Sequence, residues 1–184
     1  MSRPESAPAL VLVGPMGAGK TSIGRRAARE LGLRFADTDA LIVRAHGPIP
    51  EIFATHGERR FREIERDTVA AALASGGVVS LGGGSVIDAD TRARLSEHRV
   101  AFLTVSPVTV ASRLRGSNRP LLADEEDPIA RWQAIFAERR PLYEEVADAT
   151  FDTSSGPLSA VVADIAEWYR GGHTDRAPAG EDRI

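Results

Sequence analysis

The chain has no cysteine, which excludes disulfide staples, thiol nucleophiles and cysteine-ligated metals. Aromatic residues make up only 5% of it. No apolar stretch approaches the roughly 20 residues that span a bilayer, and the N-terminal "MSRPESAPAL" lacks the apolar core of a secretory signal. A cytoplasmic protein is therefore expected. Positive charge is not in excess either: 23 Lys and Arg face 26 Asp and Glu, for a net charge of −3. Nothing in that balance announces the basic stripe of a nucleic-acid binder or affinity for an acidic membrane, so neither is expected as a partner. The four histidines are scattered without ligand spacing. Lysine is almost missing too: Lys20 is the one lysine and every other basic residue is arginine. A genome-wide bias toward arginine would explain that, yet the surviving lysine stands where a compact point charge suits phosphate.

What is present fits one globular domain. The 184 residues are 42% hydrophobic and 27% charged, and a chain of this length buries roughly 70% of its unfolded surface. Short apolar runs at 10–13, 34–37, 78–81, 100–105 and 150–152 read as strands. Helices are expected at 19–31, from 39, at 50–56, 57–75, 88–96, 107–115, 128–146 and 157–170. Strands alternating with helices predict an open, mostly parallel α/β sheet covered on both faces, with ligands beyond the carboxyl ends of the strands. The polar segment 116–127 reads as a mobile lid loop and 171–184 as a disordered tail.

"GPMGAGKT", residues 14–21, follows a strand and opens a helix, the setting of a phosphate-binding loop. Gly17, Ala18, Gly19, Lys20, Thr21 and Ser22 are the candidate nucleotide-binding residues, with Lys20 on the β- and γ-phosphates and Thr21 on Mg²⁺. Guanine-specific switches carry an Asn-Lys-x-Asp segment, which a chain with one lysine cannot supply, so ATP is expected. Phosphate-loop proteins usually carry a second apolar strand ending in a metal-holding aspartate. Here "VVSLGGGSV", residues 78–86, ends in three glycines instead. Gly82, Gly83 and Gly84 can expose backbone N–H groups to a small polar ligand, or form a simple turn. "DTD" puts Asp37 and Asp39 at the end of the second strand, where alternation would aim both at one face. Asp39 could serve a substrate hydroxyl or merely cap the next helix. Arg62 and Glu65, three apart on a helix, read most simply as a solvated ion pair, or as a guanidinium held ready for an anion. Arg119 in the lid loop and Arg139 late in a helix can stabilise a transferring phosphoryl group or lie on plain surface.

In the order "GPMGAGKT", "DTD", "IFATHGERRFREIE", "LGGGSV", "RPLL" and "RRPLY", the chain resembles the shikimate kinases from residue 11 to about 170. The resemblance implies a three-layer phosphate-loop kinase of the nucleoside monophosphate kinase type. It carries a five-stranded parallel sheet, a substrate-binding segment near 39–66 and a lid near 116–127. It also implies ATP- and Mg²⁺-dependent phosphorylation of the shikimate 3-hydroxyl, on the route to aromatic amino acids, by a monomer. Carried over by position, Asp39 binds the acceptor hydroxyls, Arg62 and Arg139 clamp its carboxylate, and Gly83 with its neighbours supplies main-chain contacts. Phe53 and Phe61 wall the pocket, and Glu65 steadies Arg62. Arg119 closes over the phosphates, Arg113 packs on adenine, and Asp37 and Ser80 reach the metal through water. Lys20, Asp39 and Arg119 are the catalytic set. The glycines would make room for the acceptor. Two departures stand out: the lid "LRGSNRPLL" is shorter than in some members, and "TSSGP" (153–157), on the adenine side, lacks a long basic side chain. The rival readings are a related kinase acting on another polyol acid such as gluconate, and a nucleotide-dependent binding module. The second predicts loss of Lys20, Asp39 or Arg119, and all three are present.

Overall fold

A computed structural model describes residues 8–114 and 127–171. The expected lid, with Arg119, and the expected tail lie outside the described residues except for Asp127 and Gly171. Five strands form one sheet, β1 (Leu10–Val13), β2 (Phe35–Asp37), β3 (Val78–Ser80), β4 (Arg99–Thr104) and β5 (Ala149–Asp152), in the order β2-β3-β1-β4-β5. Every pairing is parallel, with Leu12 opposite both Ser80 and Ala101, and Asp37 opposite Ser80. All strands therefore end along one edge of the sheet.

The residue pattern of β1 explains the layering. Its "LVLV" is buried throughout because both sheet faces are covered. Leu10 and Leu12 join the core under α1 (Lys20–Leu31) and α7 (Leu158–Arg170), with Ile23, Ala27, Leu103 and Ile165. Val11 and Val13 point the other way, into a core with Val69, Leu73, Val79, Phe102 and Tyr143. That second layer holds α3 (Ile49–Ser75), α4 (Ala89–Leu95) and α6 (Pro128–Val146). A small satellite core of Ile42, Ile52, Phe61 and Ile64 fastens α2 (Thr38–His46) to α3. The remaining helix, α5 (Pro107–Leu114), follows β4.

The two helices expected at 50–56 and 57–75 are both present within α3 and meet at a kink at Gly57, whose φ of 77° and ψ of 169° are non-helical. Strand β4 begins one residue earlier than the apolar pattern suggested, at Arg99. That guanidinium is buried because it donates to the Trp168 carbonyl at 3.0 Å and stacks 4.2 Å over the Trp168 ring, closing the end of α7. A 3₁₀ turn at Ser85–Ile87, which no periodicity announced, follows the glycines. Among the described residues no helix is long and apolar enough to cross a membrane.

Candidate active site

The phosphate loop joins β1 to α1 and depends on backbone that only glycine adopts readily, with φ of 85° at Gly17 and 86° at Gly19. Gly19 is the N-cap of α1, and no side chain caps that helix. The first-turn N–H groups at Lys20, Thr21 and Ser22 thus face the loop with the positive end of the helix dipole behind them. Lys20 Nζ donates to the Gly14 and Pro15 carbonyls at 2.8 and 2.9 Å. Thr21 Oγ1 donates to Asp37 Oδ2 at 2.6 Å. Arg113 ties the loop to the segment at 153–157: Nη1 donates to the Gly17 carbonyl and Nη2 to the Thr153 carbonyl, each at 2.7 Å. In that segment the Ser154 hydroxyl donates to Asp152 at 2.6 Å, the main reason the Asp152 carboxyl is held below its ordinary range. Backbone N–H groups, a lysine and a hydroxyl around one loop suit a nucleoside triphosphate with its cation.

On the acceptor side the structure corrects one expectation. Asp37 and Asp39 are not alternate residues of a strand. Asp37 ends β2 and caps α2, accepting from the Ala40 N–H at 3.1 Å, while Asp39 lies in the first turn of α2. The capping duty weighed for Asp39 thus belongs to Asp37, because the helix starts one residue sooner. Between them Thr38 is fully buried, donating to the Ser80 carbonyl and accepting from the Gly82 N–H. This bond pair fixes Asp39 against the glycine segment.

The glycines at 82–84 are needed for close approach and not for unusual dihedrals, since none of the three has positive φ. A Cβ on Gly82 would lie 2.5 Å from Asp39 Oδ1 and 3.2 Å from Glu65 Oε1. One on Gly84 would lie 2.7 Å from Arg62 Nη1. The space expected for the acceptor is thus shared, directly opposite Gly82 and Gly84, by the chain's own charged side chains.

The Arg62–Glu65 pair is not the solvated pair that spacing favoured. Glu65 is 3% exposed, accepts from Arg62 Nη1 at 2.6 Å, and accepts at its other oxygen from Ser85 Oγ at 2.9 Å. A carboxylate this buried is tolerated because both oxygens are bonded. Among the described residues it leaves Arg62 Nη2 with only a 3.4 Å bond to the exposed Glu58. On α6, Arg139 Nε is buried and has no hydrogen-bond partner among the described residues. One turn on, the Tyr143 hydroxyl donates to the Gly83 carbonyl at 2.5 Å. Burial pushes that phenol up to about 12 against the opposing pull of the Arg139 guanidinium, so it stays a protonated donor.

The structure therefore gathers Asp39, Arg62, Glu65 and residues 82–84 beside the phosphate loop, with a Gly83 Cβ only 3.5 Å from the Gly14 carbonyl oxygen. Phe53 and Phe61 pack at 4.5 Å between centroids, Phe61 buried in the satellite core and Phe53 partly exposed. Ser80 is buried at the end of β3 beside Asp37. Sequence reasoning missed Thr38, Ser85, Trp132 and Tyr143. Thr38, Ser85 and Tyr143 stand inside the quoted motifs "DTD", "LGGGSV" and "RRPLY", and Tyr143 lies four residues after Arg139 on a helix, a spacing that places both on one face. A groove of about 610 Å³ lined by Arg34, Phe35, Arg44 and Arg60 among others shares none of the expected site residues.

The family profile described as shikimate kinase matches residues 16–170. A shikimate kinase of Mycobacterium avium (strain 104) is 47% identical over 159 residues, covering 85% of this chain and 90% of that protein. One from Streptomyces coelicolor is 47% identical over 152 residues, 80% of this chain and 87% of its own. The crystallised shikimate kinase of Acinetobacter baumannii, solved in complex with shikimate, superposes with a TM-score of 0.84 at 35% identity, over 93% of this chain and 97% of that one. A gluconokinase from Sinorhizobium meliloti superposes with a TM-score of 0.57 at 24% identity, over 91% and 98%, a likeness of fold alone.

Proposed function

The chain belongs to the shikimate kinase family of phosphotransferases, and from that premise we propose that it transfers the γ-phosphoryl group of ATP to the 3-hydroxyl of shikimate, a step toward aromatic amino acids. The observation that carries the choice of acceptor is a pair of guanidinium groups, Arg62 against Gly84 and Arg139 beside the Tyr143 that holds the Gly83 carbonyl. Arg62 is pre-oriented by Glu65, and Arg139 keeps a buried Nε without a partner among the described residues. Two such forks suit a carboxylate on a compact ring. Asp39, packed against Gly82, orients the acceptor hydroxyl. Since phosphoryl transfer depends chiefly on positioning and charge stabilisation, Asp39 acts more by alignment than by deprotonation. Gly83 and its neighbours offer main-chain contacts, and Phe53 and Phe61 wall the pocket.

On the donor side, Lys20 exchanges the two loop carbonyls for phosphate oxygens, and residues 17–22 cradle the phosphates. Thr21 would hold Mg²⁺ directly, with Asp37 and Ser80 acting through water. The ion, when bound, neutralises charge on the transferring phosphates. Arg113, held by the Gly17 and Thr153 carbonyls, is assigned to adenine and Arg119 to the phosphates. A cytoplasmic enzyme, where ATP is supplied, is the proposed setting. A monomer is the proposed state, to be checked by light scattering.

The test is ADP release from Mg-ATP with shikimate, gluconate, quinate or no acceptor. Stimulation by shikimate alone, lost in Asp39→Asn and on chelation of Mg²⁺, supports the assignment. Stimulation by gluconate alone moves the chain to another acceptor, and no stimulation despite ATP binding leaves a binding module.

A further inference from the structure

The strand ladder that aligns the phosphate loop with the glycine segment ends early. Among the described residues its last bond is from the Leu81 N–H to the Leu12 carbonyl at 3.1 Å. Beyond it both segments leave regular structure, yet phosphoryl transfer requires them to hold a fixed separation. Helix α6 takes over there. Trp132, Phe136, Arg139 and Tyr143 recur at the spacing of one helical stripe. Trp132 Nε1 donates to the Met16 carbonyl in the phosphate loop at 2.9 Å, and the Tyr143 hydroxyl donates to the Gly83 carbonyl. The rings between are in contact, with Trp132 stacked on Phe136 at 5.2 Å and Tyr143 stacked on Phe102 of β4 at 5.2 Å. Trp132 is 3% and Tyr143 1% exposed, so neither polar tip is free to swing away.

We propose that Trp132 and Tyr143 are positioning residues for the reaction: α6 acts as a rigid spacer that sets the phosphate loop at one end and the acceptor-side glycines at the other. Neither side chain need touch a substrate. Each acts through the one carbonyl it holds, and Tyr143 also neighbours the Arg139 guanidinium. The inference rests on the assignment of residues 82–84 and Arg139 to the acceptor.

The experiment measures both Michaelis constants in Tyr143→Phe and Trp132→Phe, which remove the donors, and with the Tyr143 hydroxyl its bond with Arg139, while an aromatic ring stays in place. Tyr143→Phe is expected to raise KM for shikimate about tenfold and to leave KM for ATP within about twofold, since it strips the donor from the half-buried Gly83 carbonyl on one side only. Trp132→Phe is expected to do the converse. Trp132→His, which keeps a ring N–H, restores KM for ATP if that donor is what matters, and serves should Trp132→Phe melt near the assay temperature. If thermal stability falls while both constants stay within about twofold in the Phe variants, the residues are structural and the proposal is overturned. An Arg139→Lys control separates the two levels. A raised KM for shikimate there, with no effect in Tyr143→Phe, refutes the spacer alone. No change in Arg139→Lys refutes the acceptor assignment, and the spacer with it.

Discussion

Gly82→Ala probes the most crowded point of the cleft. Its Cβ would arise 2.5 Å from Asp39 Oδ1 and 3.3 Å from Asp39 Cγ, and a retreat of the carboxylate by about 0.9 Å restores the 3.4 Å of ordinary contact. The backbone accepts alanine, because Gly82 has no positive φ. The atom in the way is the tip of a short side chain, so folding should tolerate the change. Catalysis should not: a misplacement near 1 Å costs about 10²-fold, or about 2.7 kcal/mol of transition-state stabilisation. Gly84→Ala meets Arg62 Nη1 at 2.7 Å and should act mainly on acceptor binding. Gly83→Ala finds nothing nearer than 3.5 Å and should be the mildest of the three. Steady-state kcat and KM, with a thermal melt for each variant, give the readout. Gly82→Ala should lose kcat with a Tm change below about 5 °C. A Gly82→Ala enzyme with undiminished kcat, or a Gly83→Ala enzyme damaged as badly, would show that clearance for Asp39 is not why glycine stands there.

Lys20→Arg should cost at least about 10²-fold in kcat with an unchanged circular dichroism spectrum, because a planar fork cannot replace a compact ammonium between loop and phosphate. Normal turnover in that variant would remove Lys20 from the catalytic set. Glu65→Ala strips the Arg62 guanidinium and the Ser85 hydroxyl of their buried acceptor. It should raise KM for shikimate about tenfold and lower stability by about 2 kcal/mol in urea titration, a moderate figure because Arg62 retains some solvent. His98 accepts the Ala9 N–H at Nδ1, and burial lowers its pKa against a smaller opposing effect of Glu97. Its folded pKa thus lies below the unfolded value of about 6.5, so its stabilisation is present above that pH and lost as pH falls below it. His98→Asn should flatten the fall in Tm between about pH 6.5 and pH 5, and an equally steep fall in both proteins would refute the assignment.

Much of this molecule was legible in one dimension. The run "LVLV" ending in "GPMGAGKT" determined a buried strand, a turn and an uncapped helix start, because glycine's dihedral freedom and the alternation of side chains are local properties. The same locality located the break at Gly57 and the alternation that makes a parallel sheet. The strand order and the shared edge of strand ends were decided by long-range pairing, which no short window contains. Nor could spacing decide between a surface and a buried Arg62–Glu65 pair, since i,i+3 neighbours look alike in sequence whichever side of the helix faces solvent. Only the packing of α3 against the Ser85 turn made Glu65 a buried, doubly bonded carboxylate. The three glycines mark the boundary most clearly. Their sequence announced that something must come close to the main chain there. The tertiary structure alone identified Asp39, Glu65 and Arg62 as what does, because close approach is a property of pairs distant along the chain.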